Sequence, residues 1–130
     1  MEPQTQHILV VDDLRAHRAV VGFNLEKAGF RVTTAANTAE ALKLAERERF
    51  DLLITDYYMP HQTGADLVGK LRETDRYADT PVILLTAKAS ELNLEYLSKK
   101  LSARVVSKPC SIARLIDMVS DCLATARSRC

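Results

Sequence analysis

The chain has 130 residues, of which 47% are hydrophobic and 27% are charged, and its formal net charge is +1. A chain of this length fits one compact domain and leaves no room for a second domain of ordinary size. The apolar fraction argues against an intrinsically disordered chain. The balanced charge shows no basic excess of the kind that nucleic-acid-binding or membrane-binding surfaces need.

The cysteines and the N-terminal residues bear on the cellular compartment. Cys110, Cys122 and Cys130 are odd in number and match no metal-ligand spacing, which indicates reduced thiols. Residues 1–6 lack the basic and apolar regions of a signal peptide. No apolar run approaches the roughly 20 residues that span a bilayer. We therefore expect a cytoplasmic protein.

Five short apolar runs alternate with five stretches of helical periodicity along the chain. Three of the runs are continuously apolar, which is typical of strands covered on both faces. This alternation predicts a parallel sheet with helices on both faces, an open three-layer α/β/α domain. The expected strands are 8–11, 32–36, 52–55, 82–85 and 105–106 with their flanks, and the expected helices are 14–28, 38–48, 65–74, 91–101 and 111–126.

Local signals mark several of the helix ends. Ser111 precedes the apolar stripe of the last helix and is the expected N-cap. Asn37 or Thr38 is expected to begin the second helix, and Gly29 to end the first.

Polar side chains stand where four of the predicted strands end. They are Asp12 and Asp13 after the first strand, Asp56 after the third, Thr86 after the fourth and Lys108 after the fifth. Ligands of open α/β sheets bind outside the carboxyl ends of the strands. We therefore expect three carboxylates, a hydroxyl and an ammonium group to meet at one rim of the sheet.

This combination of groups has a specific chemistry. Neighbouring carboxylates repel one another unless a cation neutralises them or a pKa rises. A donor set of oxygens alone favours a hard ion such as Mg²⁺. A lysine and a hydroxyl beside that ion form a site for an oxyanion. Together the groups suit phosphoryl transfer with an aspartate as nucleophile.

Each residue also has an ordinary role taken alone. Asp12 and Asp13 could cap the following helix, and Asp56 could cap a turn. Thr86 is a common residue in strands, and Lys108 at a strand exit is most often solvated. Their joint placement at four strand ends favours the functional interpretation. The histidines are expected to have no ligand role, with His17 and His61 solvated.

These residues stand in motifs that resemble the receiver domain of two-component response regulators, over about residues 6–126. The motifs are ILVVDD at 8–13, DYYMP at 56–60 with Gly64, LTAK at 85–88 and Lys108-Pro109. Each motif is weak by itself, whereas the ordered set on the right strand ends is specific. Residues 127–130 are expected to be a short basic tail.

The resemblance implies a flavodoxin-like fold, a doubly wound five-stranded parallel sheet of order 2-1-3-4-5. It implies that Asp56 accepts a phosphoryl group from a phosphohistidine of a sensor histidine kinase or phosphotransfer protein. Asp13, Asp56 and the backbone carbonyl of Tyr57 would ligate Mg²⁺ directly, and Asp12 would act through a bound water. Such a domain is a signalling switch, not an enzyme beyond its own phosphorylation and dephosphorylation.

The resemblance also assigns roles around the phosphoryl group. Thr86, the Ala87 amide and Lys108 would bind its oxygens, and Lys108-Pro109 would be a cis peptide. Tyr58 and Lys88 occupy the two positions that tune phosphate lifetime among receivers. A bulky Tyr58 is expected to shield the acyl phosphate from water, and an ordinary surface position is the alternative.

The chain departs from the family pattern at Val105. Receivers place an aromatic residue three positions before the conserved lysine, where its rotamer couples to the threonine. The stretch Ser102-Ala103-Arg104-Val105 is also one residue shorter than the Gly-Ala loop that is usual among receivers, and it lacks the glycine. An aromatic switch is therefore not available at this position, and Tyr58 or Tyr96 is the possible substitute.

Three functions follow from these patterns. The first is a phosphorylation-controlled switch that acts on a downstream protein or in a relay, without direct contact with nucleic acid or membrane, since no output domain is expected after residue 126. The second is a small Mg²⁺-dependent aspartyl-phosphate hydrolase, which would want an acid–base aspartate where Tyr58 stands. The third is a binding module on a receiver fold that works without phosphorylation, an alternative that Val105 keeps open.

Overall fold

The structure is a computed structural model and describes residues 5–128. Its strands are β1 (His7–Val11), β2 (Arg31–Ala35), β3 (Leu52–Asp56), β4 (Val82–Thr86) and β5 (Ala103–Ser107). They form one sheet of order β2-β1-β3-β4-β5, and all neighbouring strands pair in parallel. The predicted sheet order is confirmed.

The helices lie on both faces of this sheet. They are α1 (Arg15–Lys27), α2 (Thr38–Arg47), α3 (Gly64–Arg72), α4 (Leu94–Lys99) and α5 (Ile112–Ser128), with 3₁₀ turns at Asp75–Tyr77 and Ala89–Glu91. Residues of α2, α3 and α4 belong to one buried cluster, and residues of α1 and α5 belong to the other. The three-layer α/β/α architecture is therefore confirmed. No helix within residues 5–128 has the length and apolar character to cross a membrane.

The continuous apolar strands follow from this layering. Successive side chains of a strand point to opposite faces. In β1, Leu9 and Val11 belong to the cluster under α2, α3 and α4, whereas Ile8 and Val10 belong to the cluster under α1 and α5. Burying one such side chain contributes about 1.5–3 kcal/mol. The two cores hold the five strand ends at one rigid rim.

The predicted helix ends are confirmed at three places. The Ser111 hydroxyl accepts the Arg114 amide at 3.1 Å, and the Asn37 side chain accepts the Glu40 amide at 2.8 Å. Gly29 follows α1 with a φ of 104°. Side chains other than glycine rarely adopt that conformation, so the glycine ends the helix.

All five helices differ in their bounds from the prediction, four of them by no more than two residues at either end. The fourth was expected over 91–101 but spans only Leu94–Lys99, because the Asn93 side chain accepts the Tyr96 amide at 3.0 Å and starts the helix there. The last helix reaches Ser128, two residues beyond its expected end. Residues 127 and 128 of the expected basic tail are therefore helical, and residues 129 and 130 lie outside the described part of the chain.

Candidate functional site

The strands deliver the predicted polar residues to one rim of the sheet. Asp56 is the last residue of β3 and Thr86 is the last residue of β4, and both are buried. Asp12 and Asp13 directly follow β1, and Lys108 directly follows β5. Because all strands run in parallel, these ends lie on the same side of the molecule.

The three aspartates form one cluster. One carboxylate oxygen from each of Asp12, Asp13 and Asp56 lies within 4.8 Å of the other two. Asp12 and Asp56 are buried, and Asp13 is half-buried. The grouping that the strand ends predicted is therefore present.

Asp56 lies among more carboxylates than cationic groups. The Lys108 ammonium lies 2.6 Å from Asp56 Oδ1. Burial nevertheless raises the pKa of Asp56 above its ordinary value, with Asp12 and Asp13 adding to the rise and Lys108 opposing it. Among the described contacts, the Lys108 ammonium pairs with Asp56 alone, so it does not neutralise the other two carboxylates. Oxygen donors with that deficit fit a hard divalent cation such as Mg²⁺.

Gly64 closes the loop that follows Asp56. Its amide donates to the Tyr57 carbonyl at 2.7 Å. A Cβ at position 64 would lie 2.6 Å from the Asp56 carbonyl oxygen and 2.9 Å from the Leu84 side chain. Only glycine lets the start of α3 approach the site this closely. The Tyr57 carbonyl, a predicted metal ligand, keeps one lone pair beyond this hydrogen bond.

Thr86 is held at the neighbouring strand end. Its hydroxyl oxygen accepts the Lys88 amide at 3.0 Å, which leaves the hydroxyl hydrogen to donate elsewhere. Ala87 and Lys88 are exposed in the loop after β4. The loop thus presents a buried hydroxyl beside the end of β3 and two exposed residues at the surface.

Tyr58 reaches across the rim to the loop before α4. Its hydroxyl donates to Glu91 Oε2 at 3.3 Å, and its ring contacts the Tyr57 ring edge-on at 4.8 Å. Burial and the Glu91 carboxylate raise the pKa of the Tyr58 phenol. The side chain is 44% exposed, so it lies at the surface and also connects the two loops.

His17 is partly exposed, and it also makes a contact with Asp12 that the sequence interpretation did not predict. Its Nδ1 contacts Asp12 Oδ2, while Asp12 Oδ1 accepts the Leu14 amide at 2.9 Å. Side chains in the first turn of a helix lean back toward its N-terminus, here toward the end of β1. The five-residue spacing from Asp12 was therefore a usable signal that the sequence interpretation missed.

The capping alternative for the first two aspartates is not what the structure shows. The N-cap of α1 is Leu14, which has no side-chain cap hydrogen bond. Asp12 binds the Leu14 amide before the helix begins, and Arg18 donates to the Asp12 carbonyl at 2.8 Å. The start of α1 therefore holds Asp12 by both its carboxylate and its backbone.

The remaining predicted features lie around or away from the rim. Lys108-Pro109 is a cis peptide, as expected. Val105 is partly buried and packs against the core cluster that includes α4 Leu97. His61 is exposed. His7 begins β1, at the end of the sheet opposite the rim, where its Nε2 is 2.6 Å from Thr33 Oγ1.

Comparison with known proteins finds consistent matches. A family model described as the response regulator receiver domain matches residues 8–120. The chain is 40% identical over 118 residues to an uncharacterized 14.6 kDa protein of Leptolyngbya boryana, covering 90% of each chain. It is 33% identical to the two-component response regulator ORR5 of Oryza sativa, over 81% of this chain and 86% of that one.

A solved structure gives the same result. The chemotaxis protein CheY4 of Vibrio cholerae superposes with a TM-score of 0.85 at 32% identity, covering 92% of this chain and 99% of that chain. The fold, the sheet order and the family motifs therefore agree with one another.

Proposed function

Because the chain belongs to the family of response regulator receiver domains, we propose that it is a phosphorylation-controlled signalling switch with Asp56 as its phosphoryl acceptor. The observation that supports this most is the setting of Asp56. This carboxylate is buried at the sheet rim, 2.6 Å from the Lys108 ammonium and within a cluster of two further carboxylates. Such a setting suits a nucleophile that takes up an anionic group.

The proposed transfer runs from a phosphohistidine to Asp56. A carboxylate oxygen of Asp56 attacks phosphorus, an O–P bond forms, the N–P bond breaks, and the donor imidazole leaves and takes a proton from solvent. The donor is a sensor histidine kinase or a phosphotransfer protein. Lys108, the Thr86 hydroxyl and the Ala87 amide bind the phosphoryl oxygens.

The aspartate cluster would hold the cation that lets Asp56 receive an anionic group. A bound Mg²⁺ supplies charge neutralisation for the transferring phosphoryl group. Asp13, Asp56 and the Tyr57 carbonyl would hold the ion directly, and Asp12 through a water. Holding these donors on rigid strand ends means that little rearrangement is needed when the donor protein docks.

The phosphoryl group changes the surface through the loop after β4. It adds about two negative charges beside Thr86. The hydroxyl of Thr86 turns to donate to a phosphoryl oxygen, and the loop that its oxygen holds through the Lys88 amide moves with it. Output then passes to a downstream protein or a relay partner in the cytoplasm, without direct contact with nucleic acid or membrane.

An apolar surface beside the site is suited to the phosphodonor protein. Leu14, Val20 and Phe23 are exposed large apolar side chains of α1 and the residue before it. Leu14 lies two residues after Asp12, so this surface begins at the rim. A donor protein must bring its phosphohistidine to Asp56 and therefore covers the adjacent surface.

Intact mass measured after incubation with Mg²⁺ and acetyl phosphate tests the switch. We expect one phosphoryl adduct in the wild type and none in Asp56→Asn or without Mg²⁺. Asp117→Asn, which removes an exposed carboxylate on α5, is the matched control and should retain the adduct. Inorganic phosphate is measured in the same samples.

The two alternative functions predict different results in this experiment. A hydrolase would consume acetyl phosphate in many turnovers that Asp56→Asn abolishes. A module that works without phosphorylation would give neither adduct nor phosphate release although the folded protein binds Mg²⁺. Either result would overturn the proposed switch.

A further inference from the structure

The loops after β3 and after β4 are joined by a series of hydrogen bonds. The Lys88 amide donates to the Thr86 hydroxyl at 3.0 Å, and the Glu91 amide donates to the Lys88 carbonyl at 3.0 Å. The Tyr58 hydroxyl donates to Glu91 Oε2 at 3.3 Å, and Tyr58 lies two residues after Asp56. A continuous path of contacts therefore leads from Thr86 through the turn Ala89–Glu91 to the loop of the acceptor.

Tyr58 is held at both ends of its side chain. The Tyr57 amide donates to the Leu85 carbonyl at 2.8 Å, so the backbone just before Tyr58 is still tied to β4. The Tyr58 ring contacts the Tyr57 ring edge-on, with 4.8 Å between the ring centroids. Its hydroxyl is bound by Glu91. The side chain is thus a fixed bridge between the acceptor loop and Glu91.

The helix that follows Glu91 has few contacts with the core. α4 has six residues, of which Leu97 is buried, whereas Leu94 and Tyr96 are 47% and 49% exposed. Its N-cap is Asn93, two residues after Glu91. Segments that bury so little apolar surface open locally at a small cost in free energy. One hydrogen bond next to the start of α4 is therefore large enough to change how often the helix opens.

The structure distinguishes between the two exposed tyrosines near α4. The Tyr96 hydroxyl makes no hydrogen bond within residues 5–128, and its ring is about half exposed. The Tyr58 hydroxyl instead crosses from one loop to the other. Val105, on β5, is partly buried against the core and has no polar group that reaches either loop. Among these side chains, only Tyr58 connects the acceptor loop with the residues before α4.

We propose that the Tyr58–Glu91 hydrogen bond transmits the phosphorylation state of Asp56 to α4, with Glu91 as the positioning residue. The turn Ala89–Glu91 has no buried residue, so without this contact it would absorb a shift of the loop after β4 in solvent. With Glu91 held by Tyr58, the shift moves the start of α4 instead. This inference rests on the proposed function, since it takes Asp56 as the acceptor.

Hydrogen–deuterium exchange of the backbone amides of residues 92–100, with and without acetyl phosphate and Mg²⁺, tests the coupling. Intact mass gives the phosphorylated fraction in the same samples, so exchange is compared per phosphorylated molecule. In the wild type we expect phosphorylation to change the exchange rates of these amides at least about threefold. In Glu91→Ala the adduct should still form, but the change should fall below about 1.5-fold.

Three further variants show whether the hydrogen bond itself carries the change. Glu91→Gln is the conservative rescue, because its amide oxygen still accepts from the Tyr58 hydroxyl, and it should keep the wild-type change. Tyr58→Phe removes the hydroxyl and keeps the ring, and it should lose the change as Glu91→Ala does. Tyr96→Phe removes the hydroxyl of the other exposed tyrosine and is the matched control, which should keep the change.

Two kinds of result would overturn the coupling and leave the proposed switch intact, provided that the Asp56 adduct forms. The first is a wild type whose α4 amides exchange equally in both states, or a Glu91→Ala protein that keeps the full change. The second is a loss in Glu91→Gln or Tyr96→Phe as large as that in Glu91→Ala, because the change would then not depend on this hydrogen bond. A wild type that forms no adduct would contradict both proposals.

Discussion

Charged side chains have different surroundings at the carboxyl ends and at the amino ends of the parallel strands. At the carboxyl ends of the strands, Asp12, Asp13 and Asp56 form a cluster in which the Lys108 ammonium pairs with Asp56. At the amino ends of the strands, the Arg72 guanidinium donates to three backbone carbonyls: Leu101 at 2.8 Å, Tyr77 at 2.7 Å and Ser102 at 3.3 Å. Burial lowers the pKa of Arg72, and Asp79 opposes that change.

The difference separates a structural group from a functional one. Arg72 ties α3 to the segments that precede β4 and β5, so its hydrogen bonds stabilise the fold. The carboxylates repel one another, which costs stability, and under the proposed function this cost is the condition for binding a cation and a phosphoryl group. A cleft of about 430 Å³ lies beside Arg72, with Asp79 and Arg104 in its wall, so cleft volume does not mark the chemistry of this molecule.

The largest expected effect is a loss of stability on replacing Arg72, at the amino ends of the strands. Arg72→Met should lower the free energy of unfolding by about 3 kcal/mol, because it leaves two partly buried backbone carbonyls without their donor. Urea denaturation measures this loss. Lys70→Met, on an exposed position of the same helix, is the control and should change stability by less than about 0.5 kcal/mol.

The same denaturation experiment on Asp56→Asn tests the other half of the comparison. Without metal, this variant should be at least as stable as the wild type, since it removes one of three mutually repelling carboxylates. If Asp56→Asn lowered the free energy of unfolding as much as Arg72→Met does, the two ends of the strands would not differ in how their charged groups affect stability.

Gly64→Ala should have the next largest effect, a destabilisation of about 1–3 kcal/mol with slower phosphorylation. The added Cβ would meet the Asp56 carbonyl oxygen at 2.6 Å and displace the acceptor strand end or α3. Thermal unfolding and adduct formation with acetyl phosphate measure the two effects.

Gly69→Ala is the matched control for this substitution. Gly69 lies in the same helix, and a Cβ there would have nothing within 4 Å. Alanine should therefore keep or raise stability, by up to about 1 kcal/mol. Equal losses at positions 64 and 69 would contradict the close approach at the rim.

Tyr58→Asn should shorten the lifetime of the phosphorylated state roughly tenfold, equivalent to about 1.4 kcal/mol in the barrier to hydrolysis. The smaller side chain gives up the contact with Glu91 and opens the rim to water. Loss of the adduct mass after removal of acetyl phosphate gives the rate.

Glu91→Gln is the companion variant, because an amide oxygen still accepts from the Tyr58 hydroxyl. It should keep the wild-type lifetime. If Tyr58→Asn loses phosphate no faster than the wild type, Tyr58 is an ordinary surface residue and the shield does not exist.

The smallest expected effect is a pH dependence of stability caused by His7, at the amino end of β1. Burial, with a further contribution from Arg31, lowers the pKa of His7 below its ordinary value of 6.5. The unfolded chain therefore takes up the proton at a higher pH than the folded protein does. Stability should fall as pH drops through 6.5 and level off below the folded pKa.

Urea denaturation across this pH range detects the effect. His7→Gln should flatten the slope, and His61→Gln, at an exposed position, should keep it. A wild type whose stability rises as the pH drops through this range would reverse the assigned sign.

Much of the site was predictable because strand ends are visible in the sequence. Asp12, Asp56 and Thr86 follow or end apolar runs, and parallel strands place their carboxyl ends together whatever the loops do. Other features were not predictable in this way. The Arg72 hydrogen bonds depend on three carbonyls whose directions no residue type encodes. The short α4 depends on whether Asn93 caps a helix or lies within one.

The sequence by itself determined the architecture, the rim and the chemical groups that meet there, since hydrophobic periodicity dictates which faces are buried. Only the tertiary structure decided that His17 reaches Asp12, that Tyr58 reaches Glu91 and that no side chain fits at position 64. These contacts depend on how far each loop closes over the twisted sheet. Those distances follow from the packing of two whole cores and not from any local run of residues.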